Sequence, residues 1–238
     1  QIRFFDSFLL QFANNLLNKI TPHTGIIFRG LYLKSVYDLD LSKFLATIAG
    51  VYVISFGVNS LIGLISSFII YKETGIYNVV ISFFLLLISI ISIILIFLSP
   101  NIKNREGFII KNIRIMVNGW NQIKTDPKRV IFFSFTSNLI TLISALQQYL
   151  IFQSIGIKIG ISGLIYLSSI SNLSILISIT PSGIGIRETI YAFSSEVVNI
   201  SIENLLLSSL LERVITFFTS LILGGLSYCI LTKKLRKH

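Results

Sequence analysis

Cysteine is nearly absent from this chain. Its 238 residues include one, Cys229, which excludes an intrachain disulfide and any cysteine-cluster metal site. Histidine is almost as rare. His23 and His238 offer no metal-ligand spacing, so no metal and no cofactor is expected. Charge is scarce too: 13% of the residues are Asp, Glu, Lys or Arg, where soluble domains carry roughly 25%. Low-complexity linkers and a soluble second domain are missing. The chain begins with Gln1 and shows no signal-peptide pattern, and further helices are expected upstream.

Apolar residues fill the gap. They make up 53% of the sequence, with a mean hydropathy of +0.81. Several apolar runs reach about 20 residues, the length a helix needs to span a bilayer. The expected fold class is all-α, a polytopic transmembrane helix bundle. The spans are read as 4–20, 44–70, 77–99, 130–155, 161–180 and 204–232. The first is weak, because Asp6, Gln11, Asn14 and Asn15 interrupt it.

The net charge of +10 could suggest nucleic acid, but its placement excludes that partner. Lys103, Arg105, Lys111, Arg114, Lys124, Lys128 and Arg129 crowd one loop, and Lys233, Lys234, Arg236 and Lys237 crowd the tail. Both clusters flank apolar spans, as cytoplasmic loops do. Within the loop, Ile109, Ile113, Met116, Val117, Trp120 and Ile123 recur at helical spacing. They read as an amphipathic helix on the cytoplasmic membrane face or as a helix packed on the bundle. One membrane domain is expected over 1–238, with halves 1–99 and 130–232 around a cytoplasmic loop at 100–129.

One phrase occurs twice. Ile20-Thr21-Pro22 precedes Gly25 and Arg29, and Ile179-Thr180-Pro181 precedes Gly183, Gly185, Arg187 and Glu188. At a constant offset of 159, residues 20–42 and 179–201 share seven identities, the last three being Tyr32/Tyr191, Ser35/Ser194 and Ser42/Ser201. Each copy puts helix breakers and charge at membrane depth. If residues 22–40 and 181–200 both cross, the positive-inside rule makes them cross in opposite directions. The C-terminus is then cytoplasmic, Lys19 and Lys158 are outside, and the halves form inverted repeats, as in secondary transporters; if both segments are instead re-entrant hairpins, the repeats are expected to be parallel and the tail outside.

Charge inside a membrane segment costs about 2.5–3.5 kcal/mol or more and marks function by default. Arg29, Arg187 and Arg213 could present guanidinium groups to an anionic headgroup, with Glu188 and Glu212 positioning them. Alternatively, Arg187, Glu188, Glu212 and Arg213 could form a structural ion-pair cluster locking the two halves. Asp38 and Asp40 could suggest a metal-binding Asp-x-Asp. The reading preferred for them is a loop in which Asp40 or Ser42 caps the next helix.

Pro181-Ser182-Gly183-Ile184-Gly185-Ile186-Arg187-Glu188 resembles the Pro-Gly-Gly-x-Gly-x-Arg-Glu signature of the lysylphosphatidylglycerol synthase membrane domains and their stand-alone, flippase-like relatives. Glu212-Arg213 resembles that family's second charged pair. Asn18, Pro22, Gly25, Arg29 and Tyr32-Leu33 resemble its first-half motif, from which His23-Thr24 departs. The resemblance spans nearly the whole chain. It implies a multi-pass plasma-membrane protein that moves or presents anionic or glycosylated lipids and has no covalent chemistry of its own. Arg29, Pro181, Gly183, Gly185, Arg187, Glu188, Glu212 and Arg213 are the candidate substrate-site residues. Two alternatives stay open. The chain could be the membrane module of a lipid aminoacyltransferase or glycosyltransferase, with a lipid-modifying enzyme as partner, or it could be a structural scaffold.

Overall fold

A computed structural model describes residues 2–97, 121, 124, 126–177 and 185–236. Among these, every regular element is helical. The helices are α1 (Phe4–Ile20), α2 (Thr24–Tyr37), α3 (Leu41–Thr74), α4 (Val79–Phe97), α5 (Pro127–Ser154), α6 (Ile161–Ile177), α7 (Ile186–Val198), α8 (Ile202–Thr219) and α9 (Gly225–Leu235). A π-turn at Ser220–Gly224 joins α8 to α9, so the two make one rod from Ile202 to Leu235. The amphipathic stretch expected around Trp120, together with Pro181 and Gly183, lies outside the described residues.

Local chemistry sets the helix ends. The Asp40 carboxylate accepts from the backbone N–H of Ser42 at 2.9 Å and caps α3, so the acidic pair after Tyr37 is a cap, as preferred above. Asp126 caps α5 in the same way, with Pro127 in the first turn. Ser201 caps α8. Four helical segments are long and apolar enough to cross a membrane: Leu41–Thr74, Val79–Ile96, Pro127–Ser154 and Ile202–Leu235. They match the spans expected at 44–70, 77–99, 130–155 and 204–232 to within a few residues.

The remaining four helices form two hairpins. The α1–α2 hairpin is tied at its open end, where Asp6 accepts from the Tyr37 hydroxyl at 2.6 Å and the Tyr32 hydroxyl at 3.5 Å. Lys234 of α9 donates to the same carboxylate at 2.5 Å. Leu9, Leu10, Ala13, Tyr32, Leu33, Phe44 and Leu231 form an apolar core beside it. The open end of α1–α2, the start of α3 and the finish of α9 therefore share one end of the bundle.

The α6–α7 hairpin belongs to the other end. Its core includes Ile70 late in α3, Phe152 late in α5, Leu164 early in α6, Val197 late in α7 and Leu205 early in α8. Polar ties at this end join Ser162 to Glu73 at 2.9 Å and the Asn78 amide to the Phe193 carbonyl at 2.9 Å.

The end of α1 and the start of α7 both meet the rod part-way along it. Lys19, at the end of α1, donates to Thr216 at 3.0 Å. Arg187, at the start of α7, donates to Glu212 at 2.9 Å. At about 1.5 Å per residue, these rod positions lie roughly 21 and 15 Å from Ile202. The rod's 34 residues run about 51 Å, so both positions lie well inside it, away from either end.

Of the two arrangements open to residues 22–40, crossing or re-entrant, the helix lengths and contacts agree with the re-entrant one, and Lys19 lies against the rod. The α2 helix has 14 residues, about 21 Å, and it turns back toward the end from which α1 came. The α7 helix has 13, about 20 Å, and is likewise too short to cross. Lys19 sits in the bundle, not in a loop.

Close approach at the α1–α2 tip depends on Gly25. Its N–H donates to Asn18 at 2.8 Å. A Cβ placed there would lie 2.3 Å from the Asn14 backbone oxygen, where only backbone movement could relieve it. Gly25→Ala is expected to destabilise the protein by about 2–3 kcal/mol, as overpacked core sites do. Thermal unfolding in detergent checks this. His23, in the same tip, adopts left-handed backbone (φ 64°), a conformation that glycine takes without cost.

Small residues bring α3, α4 and α6 together, as is usual between membrane helices. Ser60 bonds Ser89 at 2.8 Å, and Ser67 bonds Ser82 at 3.2 Å. Asn59 of α3 accepts from Thr141 of α5 at 2.9 Å and from Asn172 of α6 at 3.2 Å. This buried amide centre pins three helices to one another.

Candidate functional site

The α7 helix begins at Gly185, whose φ of +90° suits glycine and little else. Its N–H donates 2.8 Å to the Glu188 carboxylate, which reaches back three residues as the acidic half of a capping box does. That bond aims the first turn of α7 at α8 and places Arg187 and Glu188 side by side facing it.

Two consecutive residues of α7 then meet two consecutive residues of α8. Arg187 forks onto both carboxylate oxygens of Glu212. Arg213 reaches Glu188 at 2.7 Å. The order Arg-Glu on one helix against Glu-Arg on the other leaves the quartet with no net charge. Ser209 adds a bond to Glu188 at 3.0 Å. Arg187 is 5% exposed, so its bidentate pairing occurs in a largely desolvated place, where geometry decides whether a pair survives.

The quartet is anchored inward by Tyr191. The Arg187 guanidinium donates to the Tyr191 hydroxyl at 3.0 Å and lies 5.1 Å from the centre of its ring, a cation–π contact. Gln148 of α5 donates to the same hydroxyl at 2.9 Å, and Ser171 of α6 shares a 2.7 Å bond with it. Glu212, Arg187, Tyr191, Ser171 and Gln148 thus form one chain of polar contacts across α8, α7, α6 and α5.

Lys19 completes the centre from the opposite hairpin. Its bond to Thr216 places it one helical turn beyond Glu212 on the rod. Its contact at Thr216 lies four residues before the π-turn. At that turn, a Cβ on Gly224 would lie 2.6 Å from Leu16 of α1. Irregular turns of this kind often mark functional places in helices.

The structure therefore brings together Gly185, Arg187, Glu188, Glu212 and Arg213 from the sequence-predicted set. Arg29 stands apart. It donates to Gln11 of α1 at 3.3 Å and lies 5.8 Å from the centre of the Phe44 ring. Sequence reasoning missed Lys19, Tyr191 and Asp6. The signal for Asp6 was present, because it is a carboxylate inside an apolar run, the same criterion that singled out Glu212.

A family model described as the lysylphosphatidylglycerol synthase TM region matches residues 1–224. The chain belongs to that family. Neither curated proteins nor solved structures yielded a match. Membership makes this a membrane protein of the lysylphosphatidylglycerol synthase transmembrane type, consistent with its four spanning segments. This family member carries the Arg187-Glu188 pair in the first turn of α7 and Lys19 at the end of α1, both against the rod.

Proposed function

We propose that this protein moves anionic or glycosylated lipids across the plasma membrane in the manner of a flippase, with no covalent chemistry of its own. One observation carries the reading. Five charged side chains from three helices (Lys19, Arg187, Glu188, Glu212 and Arg213) converge part-way along the spanning rod, and charge inside a spanning segment is costly and marks a path for polar groups. A lipid-modifying aminoacyltransferase or glycosyltransferase would be its partner where the headgroup is made or used.

The proposed mechanism is alternating access between inverted halves. Support comes from element lengths: 17, 14 and 34 residues for α1, α2 and α3, and 17, 13 and 34 for α6, α7 and the rod. The α1–α2 hairpin opens at the Lys234 end and the α6–α7 hairpin at the Ile202 end. Positive-inside assigns the Lys234 end to the cytoplasm. Impermeant labelling of Lys158→Cys and Leu235→Cys, in a Cys229→Ser background, should then occur from opposite sides.

A second reading is favoured by the pairing itself. Both terminal nitrogens of Arg187 are held by Glu212 and Tyr191, as a lock between helices would be. Reconstitution separates the two. Purified protein in liposomes should speed exposure of headgroup-labelled phosphatidylglycerol to an impermeant quencher, relative to protein-free vesicles. An unchanged rate for anionic and for glycosylated lipids alike would leave the lock as the function of the centre.

A further inference from the structure

The α1 helix carries a second polar feature that the charge centre does not use. Gln11, Asn15 and Lys19 recur every four residues and so line one stripe of the helix. Gln11 donates to Asn15 at 3.1 Å, and Arg29 of α2 donates to Gln11. Gln11 and Asn15 are exposed. The stripe runs about 12 Å along the helix, from the charge centre toward the Lys234 end.

Its polarity is reversed for a lipid-facing helix. Phe4 and Phe8, on the same side of α1 near the bundle end, are 87% and 52% exposed, while the amides and the cation lie deeper. A helix facing lipid places polar groups at the interface and apolar ones in the hydrocarbon. Polar side chains at this depth are accommodated where they line a water-filled cavity or the bundle interior.

The stripe is also charged in one sense. Among the described residues, neither Lys19 nor Arg29 pairs with a carboxylate; the ion pairs there use Asp6, Asp126, Glu188 and Glu212. The Arg29 Nε is buried without a hydrogen-bond partner among those residues. Arg29 stands at the Gln11 end of the stripe and Lys19 ends it about 12 Å along the helix, so a phosphodiester passing along it meets first a guanidinium and then an ammonium group, both of which bond it.

We propose that Gln11, Asn15, Lys19 and Arg29 line a hydrated track that binds the phosphate of an anionic lipid between the Lys234 end and the charge centre. This rests on the lipid-moving reading above and names the route its headgroup takes.

The test reads binding without transport. In a Cys229→Ser background, Gln11→Cys, Asn15→Cys and Phe84→Cys are reconstituted separately in phosphatidylcholine vesicles and exposed to a water-soluble thiol reagent. Positions 11 and 15 should label at least ten times faster than position 84, an exposed apolar site on α4. Replacing half the lipid with phosphatidylglycerol should slow labelling at 11 and 15 about five-fold, and Lys19→Gln with Arg29→Gln should abolish that protection. Absent labelling at 11 and 15 would overturn the hydrated track. Labelling that phosphatidylglycerol leaves unchanged would overturn the anion site. Protection by millimolar inorganic phosphate but not by phosphatidylglycerol would overturn the lipid as its ligand. Wild-type protein that fails to move lipid yet shows this protection would remove the transport reading and leave the site standing.

Discussion

Replacing Glu212 with leucine is expected to destabilise the protein by about 3–5 kcal/mol, because it leaves the Arg187 guanidinium buried beside Tyr191 with its carboxylate gone. Glu212 receives both arms of the Arg187 fork, and at 5% exposure the arginine has little water to replace it. The double variant Glu212→Leu with Arg187→Met should recover most of that loss, since a buried pair exchanged for apolar residues is often neutral. Unfolding in detergent measures both, and the double variant is the useful one. It keeps the fold while deleting half the charge quartet, so lipid movement that disappears from it separates a substrate path from a structural lock.

Asp6→Leu should cost about 2–3 kcal/mol, because the Tyr37 and Tyr32 hydroxyls lose a charged acceptor, while Lys234, at 38% exposure, can turn to water. Asp6 is 2% exposed and gathers α2 and α9 through Tyr37, Tyr32 and Lys234. Its loss strands two hydroxyls at the open end of the α1–α2 hairpin. The damage should be local. Hydrogen exchange should rise in α1, α2 and α9 and stay unchanged in α6 and α7, whose core is separate. Uniformly faster exchange would contradict two independent ends.

Much of this was legible from residue order alone. Hydropathy located the four spanning segments, and Pro22 with Gly25 marked the place where α1 ends and α2 turns back. Charge in apolar surroundings pointed to Arg187, Glu188, Glu212 and Arg213, and their mutual pairing follows from two adjacent opposite charges on each of two neighbouring helices. What residue order did not reveal is depth. A 17-residue apolar run reads the same whether it crosses or stops half-way, and only the contacts of Lys19 with Thr216 and Asp6 with Lys234 fix where α1 lies. The polar stripe was hidden for the same reason. Gln11 and Asn15 look like defects in a spanning helix until the helix is known to stop part-way along the rod with its phenylalanines at the bundle end.

The central claim is that the α1–α2 hairpin ends part-way along the rod instead of crossing to the far face. Cysteine pairs in intact membranes, with Cys229→Ser, test it most directly. A short bifunctional thiol linker should join Lys19→Cys to Thr216→Cys and should leave Lys19→Cys with Glu203→Cys unlinked, because Glu203 is in the first turn of α8 at the Ile202 end. Linkage to position 203 and none to 216 would mean that α1 crosses fully, and the charge centre would lose its fifth member.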